Sequence, residues 1–214
     1  MRNLSRSVPR AAAAARRLRL LLLAAVAVGS SACEAAPRAE SATPAAGVVD
    51  SALPIPTLLA RFRATVTDTP AVLSGGSDSP LALARARSRA IAAHDTAAVR
   101  ALAVSKAEFG WLYYPHTKYV RPPYELGPEL VWFTLVAASD KGAGRLLSRY
   151  GGRALRIEAV TCPDSTEQEG PNAVLRGCHV RFAVPDSAAR EMQLFGALLK
   201  RDGRYKFLSY ANDL

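Results

Sequence analysis

The hydrophobic period of this chain changes at Arg153, and that change constrains its fold more than any other feature. Before it, the signals are helical. Thr57 to Arg63 reads as a short helix, and Ser79 with Pro80 opens a second, in which Leu83, Ala86, Ala90 and Ile91 share one face. Asp95 caps a further short helix running to about Val104. Ser105 and Glu108 form the pattern S-x-x-E, a capping box that places "KAEFGWLYY" on a helix stopped before Pro115. Pro122 and Pro123 predict an extended loop. Pro128 opens "PELVWFTLVAAS", and Ser139 caps a separate helix, "DKGAGRLLSRY", ending at Gly151 and Gly152. After Arg153 the period is two. Leu155, Ile157 and Ala159 alternate with Arg156, Glu158 and Val160; Cys178, Val180, Phe182 and Val184 alternate with His179 and Arg181. "REMQLFGALLK" leads through Asp202-Gly203, a hairpin turn signal, into "YKFLSY". The expectation is an α+β domain: amino-terminal helices on a curved, four-stranded antiparallel meander.

The amino terminus has a different logic. Arg2, Arg6, Arg10, Arg16, Arg17 and Arg19 precede an apolar run from Leu20 to Val28, and small residues then lead to Cys33. A basic end, a short apolar stretch and small residues are the layout of an export signal. The run is shorter than the ~20 apolar residues of a membrane-spanning helix. "SSAC" resembles a bacterial lipobox, with Ser30 where leucine is usual. That resemblance implies that Cys33 carries a diacylglyceryl thioether and begins the mature chain. Ordinary signal cleavage, leaving Cys33 as a free thiol, is the alternative. The expected organisation is a signal peptide over 1–32, a flexible tether rich in Ala, Pro, Ser and Thr over 33–52, and one domain over 53–214. The resemblance places the protein on a bacterial envelope membrane, facing the periplasm, with the membrane as its partner through the lipid anchor.

The charge follows the signal. The whole chain carries 28 basic and 18 acidic residues, a formal +10. Six arginines leave with the signal, so 22 basic residues face the same 18 acids, a formal +4. The remaining bases are interspersed with acids, and no basic stripe suited to nucleic acid is left.

Two further cysteines, Cys162 and Cys178, lie 16 positions apart around the polar stretch "PDSTEQEGPNAVLRG". In an exported chain an even remainder reads as one disulfide; two buried thiols are the alternative. His179 adjoins Cys178 but does not complete a tetrahedral metal set, and no metal or other cofactor is expected.

"RSRAIAAHDTAAVRALAV" and "LLKRDGRYKFLSYANDL" resemble the opening helices and the closing hairpin of the nuclear transport factor 2-like (cystatin-like) superfamily. The resemblance covers roughly Leu81 to Leu214 and implies a cone whose sheet wraps the helices around one open mouth. Enzymes of that class place an Asp, with His or Tyr, inside the cone. No residue here matches such a motif, so no catalytic residue is assigned.

The chain has no nucleophile elbow, zincin motif, Walker loop or dinucleotide fingerprint. His94 and His179 read as surface residues. Trp111, Trp132 and Phe133 read as core, with Trp111 and Tyr114 on one helix face and Phe109 and Leu112 on another. The segment "YPHTKYVRPPYE" differs, because it gathers aromatics and cations on a proline-stiffened loop. Tyr114, His116, Tyr119, Arg121 and Tyr124 are the candidate ligand-binding residues, and His116 could do acid-base work if Tyr114 or Glu125 converged on it. Three functions are compatible with these observations. The preferred one is a non-catalytic envelope module binding a small molecule or an envelope protein. The others are a nuclear transport factor 2-like enzyme acting on a small hydrophobic substrate, and a structural or assembly lipoprotein.

Overall fold

The computed structural model describes residues 52–212 and 214. The expected signal peptide, Cys33 and all but Ala52 of the expected tether lie outside the described residues.

Helix α1 spans Ile55–Arg63 and buries Phe62. Helix α2, Pro80–Ala92, starts where expected: the Ser79 hydroxyl accepts the Ala82 N–H at 3.3 Å. Helix α3, Thr96–Ala101, begins with the Asp95 carboxylate accepting the Ala98 N–H at 2.8 Å. Both halves of the Ser105–Glu108 capping box form at α4, Lys106–Glu108. The next turn is not α-helical. Phe109–Tyr113 is one π-helical turn, with the Tyr114 N–H donating to the Phe109 carbonyl. The wider turn changes which side chains align. Phe109, Leu112, Tyr113 and Tyr114 are all buried, while Trp111 sits half-buried under the Arg63 guanidinium, 4.0 Å from its ring centroid. The expected pairing of Trp111 with Tyr114 is therefore corrected. Gly110 makes room for this packing, since a Cβ there would meet the Phe62 ring at 2.8 Å.

Two expected helices are one. Helix α5 runs unbroken from Pro128 to Tyr150, 23 residues. Ser139 does not cap a second helix; its hydroxyl accepts the Tyr210 N–H at 3.1 Å. No proline interrupts the segment, and Gly142 keeps the helix while letting the backbone approach: a Cβ there would overlap the Tyr210 carbonyl oxygen. The helix ends at Gly151 and Gly152 as expected.

The single meander is also corrected. Seven strands form two antiparallel sheets. One contains β1 (Arg156–Thr161), β4 (His179–Ala183) and β5 (Arg190–Met192), in the order β1-β4-β5. The other contains β2 (Glu167–Glu169), β3 (Asn172–Arg176), β6 (Ala197–Arg201) and β7 (Arg204–Ser209), in the order β2-β3-β6-β7. "REMQLFGALLK" splits between them. Its first three residues pair with β4, and its last part pairs with β3 and β7. Asp202 and Gly203 make the expected turn, with φ of 49° and 74°. The edge of β7 is partly covered, by Ser77 opposite Tyr205 and by Ala103 opposite Phe207.

The four-stranded sheet is buried on both faces. Leu198 and Phe207 join Leu83, Ile91, Val180 and Phe182 in one core. Their neighbours Leu199 and Leu208 join Phe62, Phe109, Tyr114 and Val174 in the other. Alternate residues of the same strands thus feed two cores. Phe133 belongs to neither. It is 71 % exposed, because it lies on the side of α5 away from the residues that the helix turns to the cores, Val131, Trp132 and Leu135 in its first half and Gly142, Leu146 and Tyr150 in its second. Trp132 is half-buried, 5.1 Å from the Phe109 ring.

Candidate functional site

The segment after the π turn is a folded loop rather than an extended one. Single 3-10 turns cover Tyr114–His116 and Lys118–Val120, and a turn follows at the cis peptide Pro122-Pro123. Tyr114 holds the loop closed. Its ring is fully buried and its hydroxyl donates to the Leu126 carbonyl at 2.6 Å, joining the two ends of the loop. Burial pushes that hydroxyl up to about 12. Tyr114 is therefore withdrawn as a ligand-binding residue, because its polar atom is spent inside the fold. Thr117, also fully buried, donates to the Tyr114 carbonyl at 2.9 Å. Backbone bonds from Leu126 to Tyr119 and from Tyr124 to Arg121 complete the loop.

The other expected residues lie around a cleft. His116, Lys118, Arg121, Pro122 and Tyr124 form one wall, and Glu167, Gln168 and Glu169 of β2 form the opposite wall. The space between them is about 380 Å³, at the small end of the range for ligand sites. Tyr119 stands behind the first wall, half-buried and edge-on to Tyr124 at 6.1 Å. The Lys118 ammonium lies 5.3 Å from the Tyr124 ring centroid and 5.7 Å from that of Tyr119. Arg121 and Tyr124 are exposed.

The second wall comes from the disulfide loop. Cys162 and Cys178 are bonded, as expected, and they follow the last pair of the β1–β4 ladder, Thr161 with His179. The chain between them leaves the three-stranded sheet, makes the β2–β3 hairpin and returns. At the hairpin turn Gly170 has φ of 62°, and a Cβ there would meet His116 Nδ1 at 2.7 Å. The imidazole thus lies against the hairpin backbone. Beneath it, Arg201 donates to the Leu112 carbonyl at 3.1 Å and to Asn172 Oδ1 at 3.3 Å, while the Asn172 amide donates to Leu112 at 2.9 Å.

These surroundings set the charges. Burial, then the nearby Arg201 charge, lower the His116 pKa from its ordinary value of 6.5, so the ring is mainly neutral at pH 7. Burial raises the Glu169 pKa, with a hydrogen-bonding interaction from Tyr113 opposing the rise. The Tyr113 hydroxyl is pushed far up, by burial first and by the Glu169 charge second. Oε2 of Glu169 is buried and has no hydrogen-bond partner among the described residues. At the rim, Glu167 is paired with Arg176 at 3.2 Å.

Among the described residues, no hydrogen bond joins His116 to Tyr114 or Glu125, so the condition for acid-base work by His116 with either is not met. His94 is exposed, with φ of 53°, and lies against Gly151 and Gly152. His179 is exposed on β4. Among the described residues, no group of three or more His, Cys, Asp or Glu side chains could hold a metal ion. The sequence reading missed Glu167, Glu169, Asn172 and Arg201. A signal for the hairpin was present, because Gly170-Pro171-Asn172 is turn chemistry between two short runs. Comparison with protein-family models, curated proteins and solved structures found no match for this chain.

Proposed function

We propose that the mature chain is a lipid-anchored envelope protein whose domain is a non-catalytic binding module, with the cleft between the 116–124 loop and β2 as its ligand site. One observation carries the proposal. The cleft sets Lys118 and Arg121 on one wall against a part-buried carboxylate, Glu169, whose buried Oε2 has no hydrogen-bond partner among the described residues, the nearby Tyr113 hydroxyl interacting with the group without satisfying that oxygen. A buried acceptor without a partner is costly, and a ligand donor relieves that cost. Charges of both signs in one small concavity suit a small zwitterion the size of an amino acid or a dipeptide. Its carboxylate would meet Arg121 and Lys118, and its ammonium would meet Glu169. The anchor is supported by the basic, apolar and small-residue layout ending at Cys33.

The packed interior weighs against the nuclear transport factor 2-like enzyme, set second here. The gap lined by Arg87, Ile91, Leu146 and Tyr210 has no room for a water molecule. The order of helices and antiparallel strands and the Asp202-Gly203 hairpin support that second reading.

The test is ligand-induced stabilisation of the full mature chain in detergent, read by thermal melting against free amino acids and dialanine at millimolar concentration. A ligand that binds the native state alone raises the melting temperature. At least one zwitterion should do so, and Glu169→Gln and Arg121→Ala should each remove the shift. No shift across the series, or a shift that both variants retain, rejects the cleft as the site.

A further inference from the structure

We propose that the amino-terminal half of α5 is a membrane-contact face, which lays the domain against the bilayer that anchors it; the proposal rests on the lipid-anchor reading above. From Leu130 to Ser139 the helix carries no charge over ten residues, "LVWFTLVAAS". Leu130, Phe133 and Ala137 fall on one stripe at helical spacing, on the side away from the buried Gly142, Leu146 and Tyr150. Leu130 is 54 % exposed and Phe133 71 %. The second half of the same helix behaves as a solvated helix should, with Asp140, Lys141 and Arg149 exposed. An apolar stripe on one half only is not a general property of α5; it marks a surface with a partner.

The chain's connection to Cys33 says which partner. Helix α1 packs beside this half of α5. Ile55 and Leu59 join Val131, Trp132 and Leu135 around the same core, and the Leu58 side chain lies 3.2 Å from where a Cβ on Gly127 would stand. The chain toward Cys33 therefore joins the domain beside the amino-terminal half of α5, and Leu53 there is itself 40 % exposed. Cys33 and Leu53 are 20 positions apart, a separation that no conformation stretches beyond about 70 Å. A surface tethered within that distance of its target sees it at roughly millimolar effective concentration, so a small apolar stripe suffices.

The charges agree. Arg61, in the last turn of α1, is exposed, while Arg63 is held by the Gly110 carbonyl and the Trp111 ring; an exposed cation on the helix that packs beside this half of α5 favours anionic headgroups. The nearest acid on the helix, Glu129, is paired with Lys106 at 3.5 Å. On the other flank α5 walls an apolar groove of about 740 Å³ that includes Trp132, Val136 and Leu208, with Arg100, Lys106 and Asp140 as its charged residues. Among the described residues no helix is long and apolar enough to cross a membrane, so the face would lie on the bilayer, with its side chains at the headgroup and acyl boundary.

The test uses the full chain, reconstituted in phosphatidylcholine–phosphatidylglycerol vesicles with brominated acyl chains, with palmitate incorporation measured on the same preparation. Trp111→Phe leaves Trp132 as the only tryptophan. Its emission should fall about twofold on brominated lipid, and adding Leu130→Glu with Phe133→Glu should restore it while the chain stays acylated. A second probe, Phe133→Trp in a chain lacking both native tryptophans, should be quenched more strongly than Trp132, since it lies on the stripe itself. No quenching of either probe in an acylated chain overturns the proposal and leaves the anchor standing. Quenching that survives the double glutamate variant also overturns it. Self-association that this variant abolishes, without quenching, assigns the face to a second copy instead. In a chain that takes up no palmitate the anchor reading fails. Quenching there would keep the contact face, and its absence would reject both.

Discussion

In the core on one face of the four-stranded sheet, Glu108 and Lys206 are buried as a pair. In the core on the other face, Arg87 is buried among aromatic rings. The Glu108 carboxylate accepts from Lys206 Nζ at 2.8 and 3.1 Å, from the Ser74 N–H at 2.7 Å, from the Ser74 hydroxyl at 3.0 Å and from the Ser105 N–H at 2.8 Å. It joins the start of α4, the segment before α2 and strand β7. Arg87 donates to the Leu194 carbonyl at 3.0 Å, and its guanidinium carbon lies 4.7 Å from the Phe207 ring centroid and 5.3 Å from that of Phe195. Among the described residues no carboxylate pairs with it, and its Nε has no partner. Burial lowers its pKa to about 10, with Tyr210 opposing the fall. The first charge is a tie between chain segments. The second is a packed body that happens to be charged, held by ring faces and one carbonyl.

The sharpest way to break that comparison is to remove Lys206. Lys206→Met leaves Glu108 buried without its counter-charge, and should destabilise by about 3–5 kcal/mol, or roughly 10 °C in melting temperature. The pH dependence gives an independent reading. Burial alone would raise the Glu108 pKa, but the bonds from Lys206, Ser105 and Ser74 overcome it and hold it below its ordinary value of 4.5. Its contribution is therefore fully present above about pH 4.5 and is lost as pH falls through the lower folded value. Urea midpoints measured from pH 7 to pH 3 should fall with pH in the native chain, and the fall should be smaller in Glu108→Gln. A Lys206→Met chain as stable as the native one would mean that the tie holds nothing together.

The disulfide sharpens the comparison differently, because it constrains the unfolded chain as well as packing on the core that holds Arg87, where Cys178 is buried and Cys162 lies against it. Cys162→Ala with Cys178→Ala opens a loop of about 15 residues, at a cost of about 3 kcal/mol. Ala173 to Arg176 of the loop are held by pairing with β6, so the fold should survive. Strand β2, which among the described residues pairs only with β3, should loosen, and with it the Glu169 wall of the cleft. Melting temperature reads the first effect. Amide exchange at Glu167–Glu169 reads the second, and unchanged protection there would separate the cleft from the bridge.

The tie and the cage differ in how far the sequence revealed them. Half of the tie was legible: Ser105 and Glu108 are three residues apart, and a capping box is a local rule. The caps at Ser79 and Asp95, the helix start at Pro128 and the turn at Asp202-Gly203 were legible for the same reason. Lys206 was not, since only the pairing of β7 brings it under α4, 98 positions away. Arg87 looked like one more arginine in a basic helix, and its 3 % exposure depends on the strands folded over it. The same distinction divides the cleft. His116, Arg121 and Tyr124 could be read from one loop, but Glu169 and Arg201 arrive through strand pairing. Strands β6 and β7 hid their partners further, because residues buried on both faces lose the alternation that marks a face.

The smallest effect is expected at Arg87. Arg87→Met keeps the length of the side chain among Phe195, Phe207 and Tyr210 and removes a desolvated charge. The carbonyl of Leu194 loses one donor, and the rings lose a cation. Replacing buried charges by apolar side chains of similar volume is often neutral or stabilising. The change should stay within about 1 kcal/mol of the native chain in urea denaturation. Arg87→Ala should cost several times more, because it opens a cavity that the rings do not fill. The two variants separate volume from charge. If methionine proved as damaging as alanine, the cation itself would be holding the rings, and Arg87 would be a tie of the same kind as Lys206. If methionine is tolerated, shape fills that core and the guanidinium is the occupant that fits it.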